Sequence, residues 1–380
     1  MDFSAVDEEL KAALEKGVFP GVVVLVGRDD SVLYRRAAGW RSLEPTHTPT
    51  HERVIYDVAS LTKPLATTVA LMLLVKTKEL RLDDRVTRFF PDFGVHGKQA
   101  ITLRQVLSHS SGLAAWRHYY KDIIQGEAGE VYVGFLGARR AREYVYRQLL
   151  RERLASPPGQ KAVYSDLGFI LLGAVVEKIS GLALDQYCQE HIFCPLALYD
   201  TSFINLEKRR WRGAELQEDQ FAPTECCSWR KRMLCAEVHD DNAYAMGGVA
   251  GHAGLFSTVD DLHRLISGLI ACHRGDYAFL PAGLMREFWT RDGNVADSTW
   301  ALGWDTPSAQ NSSAGNLFSP LSVGHLGFTG TSVWIDLEKN IHVIVLSNRV
   351  HPSRDNEKMK TFRPALHNAV MRTVQGKSSQ

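Results

Sequence analysis

Ser60-Leu61-Thr62-Lys63-Pro64-Leu65-Ala66-Thr67-Thr68-Val69-Ala70-Leu71-Met72-Leu73-Leu74-Val75 is the stretch from which the rest of the chain is read. It is an S-x-x-K motif entering an apolar helix, and residues three apart on a helix share a face, so the Lys63 amine can reach the Ser60 hydroxyl. A hydroxyl becomes a good nucleophile only when a neighbouring base takes its proton. Lysine serves as that base only when neutral, and burial under Leu61, Leu65 and Val69 is expected to lower its pKa. A helix N-terminus at Ser60 adds partial positive charge where an oxyanion would form. Pro64 falls in the first turn, where a missing N–H matters least.

The motif alone is weak, because Ser228-Trp229-Arg230-Lys231 matches it too. That second match lies in a polar, cysteine-rich stretch with no apolar helix behind it, so nothing would desolvate its lysine. Ser60 could also be a plain helix cap. Two other elements favour chemistry. Tyr164-Ser165-Asp166 follows Pro157-Pro158-Gly159 and precedes an apolar helix, which places a phenol on a turn where it can shuttle a proton. Its bland alternative is a helix cap by Ser165 or Asp166. Near the end, His325-Leu326-Gly327 begins a predicted strand, Gly324 to Asp336. There Gly327 would let substrate approach the backbone, and a strand amide would complete an oxyanion hole with that of Ser60.

The three motifs in this order resemble the serine β-lactamase and penicillin-binding superfamily. The tyrosine version is similar to the class C branch, with its D-alanyl-D-alanine carboxypeptidase and esterase relatives. Supporting phrases run from about residue 15 to 372, among them Leu107-Ser108-His109-Ser110-Ser111-Gly112-Leu113 and Gly254-Leu255-Phe256-Ser257-Thr258. The resemblance implies an α/β, transpeptidase-like fold: an antiparallel sheet flanked by helices, plus a mainly helical insert. It also implies Ser60 as nucleophile, Lys63 as base, Tyr164 as general acid/base, and the amides of Ser60 and Phe328 as the oxyanion hole. Two positions depart from the lactamase pattern. His325 stands where those enzymes have lysine, so a permanent cation for a substrate carboxylate is replaced by a group charged part of the time. Asp166 stands where they have asparagine, and a carboxylate cannot donate to an acylamide oxygen. Both departures favour ester, amide or D-amino-acid peptide substrates over efficient β-lactam turnover. The reading from a different class is a penicillin-binding sensor or scaffold that acylates without turnover.

The chain's 380 residues, 45% hydrophobic and 23% charged with formal net charge +1, provide no global field to recruit nucleic acid or an anionic membrane. The expected partner is a small-molecule or peptide substrate, with no cofactor and no metal. His239, Asp240, Asp241 and His252 lack a two-histidine helical spacing and are read as shaping the site's rim. The run Lys208-Arg209-Arg210-Trp211-Arg212 is read as a solvated loop. Six cysteines without a C-x-x-C pair read as free thiols in a reducing compartment. No segment reads as a membrane span, and the acidic start lacks a signal-peptide pattern. The expectation is a cytoplasmic protein, or a periplasmic or secreted one if a leader has been removed.

An opening helix (Phe3, Val6, Leu10, Ala13) is followed by a hairpin over 22–39. Helices are expected over 139–154 and 167–179, a long ordered loop over 205–240, then strands and a closing helix from about Phe362 with Pro364 in its first turn. Residues 1–60 and 245–380 are therefore expected to form an α/β layer, and 61–244 a mainly helical insert carrying an active-site loop.

Overall fold

The computed structural model describes residues 1–128, 134–212 and 217–376. Its strands are β1 (Gly21–Arg28), β2 (Ser31–Ser42), β3 (Thr48–Pro49), β4 (Tyr56–Asp57), β5 (Ser202–Phe203), β6 (Leu255–Ser257), β7 (Val323–Leu326), β8 (Ser332–Asp336) and β9 (Ile341–Ser347). Six of them form one antiparallel sheet in the order β3-β2-β1-β9-β8-β7, so β1 lies between its hairpin partner and the C-terminal strands. Val22 faces Ser347 and Leu25 faces Ile344 across the β1–β9 ladder. A central strand covered on both faces reads as a continuous apolar run, and Val22 through Val26 are all fully buried.

The two faces of that run serve different cores. Val22, Val24 and Val26 pack with Val343 and Val345 under helices α1 (Ser4–Glu15) and, at the C-terminus, Met359–Val374. Val23 and Leu25, with Ile344 and Leu346, face the larger helical layer. Burying each such valine contributes about 1.5–3 kcal/mol.

The larger layer carries the site. Ala59–Leu61 forms one 3₁₀ turn, Lys63–Thr68 is π-helical, and α2 (Val69–Lys76) continues the same course. This 18-residue stretch is long and apolar enough to cross a membrane, yet 78% of it is buried inside the protein. Helix α3 (Asp166–Ser180) packs beside it. Their neighbour is the Gly-rich segment after Gly247: a Cβ on Gly251 would sit 2.0 Å from the Phe169 carbonyl. Helices α4 (Val259–Arg274) and α5 (Met359–Val374) cover opposite faces of the sheet.

The structure alters three local expectations. The predicted strand over 324–336 is a hairpin, because Gly327 N donates to Thr331 O (2.8 Å) and Gly330 takes φ +110°, turning β7 back into β8. The closing helix starts at Met359, so Pro364 lies in its second turn. The 205–240 segment contains a helix, Leu206–Arg212, and a two-residue ladder between Cys226–Cys227 and Arg232–Met233. Ion pairs hold this polar segment, the buried Arg230 on Asp241 (3.2 Å) and the partly exposed Arg354 on Glu225 (2.5 Å). In the basic run, Lys208 pairs with Asp185 and Arg209 with Glu218. The side chains of Arg210, Trp211 and Arg212 lie outside the described residues. All six cysteines are free thiols.

Candidate active site

Ser60 sits directly after Ala59, a non-glycine residue held at φ +49°. Such a conformation costs of order 1–3 kcal/mol and persists only where the surroundings enforce it. Asp57 enforces it here. Its Oδ1 accepts from Ala59 N (2.8 Å), its Oδ2 from His239 N (2.7 Å), and its backbone carbonyl from the Thr329 hydroxyl (2.7 Å). Thr331 donates likewise to Val58 O (3.0 Å), so the β7–β8 turn is tied to the turn bearing the nucleophile.

Lys63 Nζ lies 3.0 Å from Ser60 Oγ, 3.2 Å from the His252 carbonyl and 2.7 Å from Asp166 Oδ1, with its side chain fully buried. Asp166 is thus the counter-ion of Lys63. The expectation of a Lys63 pKa lowered by burial is not met. Burial pulls the Lys63 pKa down, but the Asp166 charge, then Tyr164 and their hydrogen bonds, outweigh it and leave it raised. A carboxylate sharing the pocket favours the charged lysine against the pull of burial.

Tyr164 precedes the cap of α3. Ser165 Oγ accepts from Gly168 N (3.2 Å) and donates to Ala114 O (2.7 Å), while Asp166 N donates to Ala115 O. The capping alternative therefore holds for Ser165, and it is the capped turn that directs Tyr164 into the site. The Tyr164 ring centroid is 4.7 Å from Lys63 Nζ. Burial raises the phenol's pKa more than the nearby Lys63 and Ser60 lower it.

Around Tyr164 stand Trp300, stacked at 5.4 Å, and the rings of His109 (4.8 Å) and His325 (5.9 Å). Burial, and then the Lys63 charge, depress both histidines, His325 to about 3 and His109 well below the usual range. His325 is therefore neutral at neutral pH, where partial charge was expected. Its Nδ1 lies 2.9 Å from Leu326 O. Packing alone already requires a glycine at 327. An added Cβ would lie 1.9 Å from Thr331 Oγ1 and 2.5 Å from Val58 O. Phe328 follows it, half exposed at the mouth of the site.

Ser60, Tyr164, His325, Gly327 and Phe328 line one cleft of about 530 Å³. Arg349 and Arg363 also line it, although no motif pointed to them. Arg349 Nε donates to Phe328 O (2.7 Å), and Arg363 donates to Gly327 O and Thr331 O (both 3.0 Å). Neither guanidinium has a carboxylate within 4 Å among the described residues, and burial, then Arg349, lowers Arg363 to about 10.

His252 and Asp240 form a pair behind Lys63, with Nε2 2.8 Å from Oδ1. Burial would raise the Asp240 pKa, but His252, the Ala243 amide and Lys63 together hold it well below the usual carboxylate range. His239 instead meets Glu225 (2.9 Å). No group of three metal-ligating side chains occurs among the described residues. Ser228 is exposed in the turn between the two short strands, far in character from the buried Ser60–Lys63 pair.

Comparison with known proteins finds relatives over most of the chain. The chain is 32% identical over 370 residues to a protein of Escherichia coli (strain K12) provisionally named a D-alanyl-D-alanine carboxypeptidase, covering 90% of this chain and 81% of that one. It is 31% identical over 374 residues to a Bacillus subtilis (strain 168) protein named N-acetylmuramyl-L-alanine amidase, covering 91% and 80%. Among solved structures, the octameric penicillin-binding protein homologue from Pyrococcus abyssi superposes with TM-score 0.73 at 22% identity, over all of this chain and 78% of that one. EstCE1, a hydrolase with promiscuous acyltransferase activity, superposes with TM-score 0.70 at 21% identity, over 96% and 99%. Residues 6–367 match the Beta-lactamase family, and with Ser60 and Tyr164 lining one cleft and Lys63 buried against Ser60, the chain belongs to that family.

Proposed function

We propose that the protein hydrolyses an ester, amide or D-amino-acid peptide through an acyl-enzyme on Ser60. The observation that carries this reading is the 3.0 Å contact between Ser60 Oγ and a fully buried Lys63 that also meets Asp166, the His252 carbonyl and the Tyr164 ring. With Lys63 an ammonium and Tyr164 a phenol, the group of this cluster free to take a proton is the Asp166 carboxylate. As Ser60 Oγ bonds to the acyl carbon, its proton passes to Lys63 while Lys63 passes one of its own to Asp166. The carbonyl oxygen gains negative charge and is stabilised by the amides of Ser60 and Phe328. When the acyl–leaving-group bond breaks, Tyr164 gives its proton to the departing oxygen or nitrogen and is refilled from Lys63, which takes the proton back from Asp166. Water then repeats the sequence, and the acid is released.

Peptide substrates with a carboxylate fit the cleft better than neutral esters do. Although His325 provides no cation, Arg349 and Arg363 line the cleft with no carboxylate within 4 Å among the described residues, and Glu357 acts on Arg349 through space. The names of the E. coli and B. subtilis relatives point the same way. The test is labelling with a fluorophosphonate or penicillin, read by mass spectrometry, alongside turnover of p-nitrophenyl esters, nitrocefin and D-alanyl dipeptides. One adduct on the Ser60 peptide with turnover of at least one substrate supports the proposal. An adduct on Ser228, or none, overturns it. A burst without turnover on every substrate favours the sensor reading.

A further inference from the structure

Asp305 lies in the same cleft as Ser60, Tyr164 and His325, and none of the motifs includes it. Its backbone is locked to the edge of the sheet: Asp305 N donates to Gly324 O (2.8 Å) and Gly324 N to Asp305 O (2.9 Å). It also forms a bridge with Trp300, whose ring stacks on Tyr164. The carboxylate is therefore held beside an aromatic wall, one residue along the strand from His325. Oδ1 accepts from Thr306 N (2.9 Å). Among the described residues no cation lies within salt-bridge distance of it. Arg291, the cation that acts on it through space, spends its own donors on Thr306 Oγ1 (2.7 Å) and Pro307 O (2.6 Å).

Asp305 is paired with Gly324, at the β7 side of the cleft. Arg349, Glu357, Lys360 and Arg363 also line it; Arg363 donates to the Gly327 carbonyl and Arg349 to that of Phe328, three and four residues along the chain from Gly324. A partly buried carboxylate that shares its cleft with the Trp300 ring and has no cationic partner is a receptor for an ammonium group, through charge and cation–π attraction.

Resting on the acyl-enzyme reading, we infer that Asp305 is a specificity residue that binds an ammonium group of the substrate, so that the cleft favours substrates carrying a free amine over neutral ones of the same shape.

Boronic acids test this, because they add reversibly to the serine and can present a substituent toward either end of the cleft. The probes are 3- and 4-(aminomethyl)phenylboronic acid against the corresponding methyl compounds. At least one amine is expected to inhibit tenfold or more strongly than its methyl counterpart. In Asp305→Asn that preference should vanish, while the methyl compounds keep their inhibition constants within about threefold. Because the backbone makes the bridge to Gly324, the asparagine is expected to fold, and fluorophosphonate labelling of Ser60 at the wild-type rate checks that it does. Equal inhibition by amine and methyl compounds in the wild-type protein overturns the inference without needing the variant. So does an amine preference that survives in Asp305→Asn. Failure of every boronic acid together with absent Ser60 labelling overturns the acyl-enzyme reading and this inference with it.

Discussion

Replacing Asp166 by asparagine keeps the shape of the side chain and removes the group to which the proton is proposed to go. Two effects follow, and they are separable by pH. At neutral pH Lys63 cannot hand its proton to an amide, so Ser60 loses its route to a base. General acid–base groups typically contribute about 10²–10⁴-fold, or roughly 2.7–5.5 kcal/mol of barrier. The second effect has the opposite sign. Asp166, 2.7 Å away, is the largest influence opposing burial on Lys63. An opposite charge this close shifts a pKa by about 1–3 units, so without it burial dominates and the lysine pKa falls. The neutral amine, a competent base, then appears at lower pH than in the wild-type protein. The expected result is a fluorophosphonate acylation rate depressed about hundredfold or more at pH 7, climbing with pH across a range where the wild type is flat. The assay reads Ser60 directly and needs no knowledge of the substrate. A variant within about threefold of wild type at pH 7 would refute the proton route. A depressed rate that stays flat up to pH 10 would refute the assignment of Asp166 as the group that holds Lys63 charged.

Lys63→Arg should lower acylation about hundredfold or more, since a guanidinium cannot release a proton to Asp166 or accept one from Ser60; retention of more than about a tenth of the rate would reduce Lys63 to an electrostatic support. Gly327→Ala places a methyl group against Thr331 Oγ1 and the Val58 carbonyl, the second of which is backbone and cannot rotate away. Overpacking of this kind costs about 1–3 kcal/mol, so thermal unfolding should shift down and Ser60 labelling should slow; unchanged melting and labelling would show that the turn yields without cost.

Much of the scaffold was legible because periodicity reports burial. The valines of β1, the 139–151 and 166–180 helices, and the amphipathic first helix all announce themselves by the spacing of apolar residues. The turn inside 324–336 was hidden, since Gly-Phe-Thr-Gly reads as a glycine-rich strand until the Gly327–Thr331 contact is seen. At the site, the positions of Ser60, Lys63 and Tyr164 follow from local spacing. Their protonation does not, because the charge of Lys63 depends on Asp166, a hundred residues away. Asp57 stands three residues before the nucleophile and was readable in principle as its anchor. Arg349, Arg363 and Asp305 carry no local signature, because they enter the cleft only through the packing of β7 against the chain's last hundred residues.

The ties from Thr329 and Thr331 to the carbonyls of Asp57 and Val58 place a constraint on biosynthesis. A ribosome that has made the first three hundred residues has already released the serine, the lysine and the tyrosine. The emerging chain still lacks the hairpin that locks the turn before the serine, and β1 still lacks β9 as a neighbour. Closing a sheet between residues 22 and 347 joins positions far apart in sequence, and contacts of such separation form late. The nascent protein therefore carries its reactive residues before the hairpin that orients the serine hydroxyl has arrived.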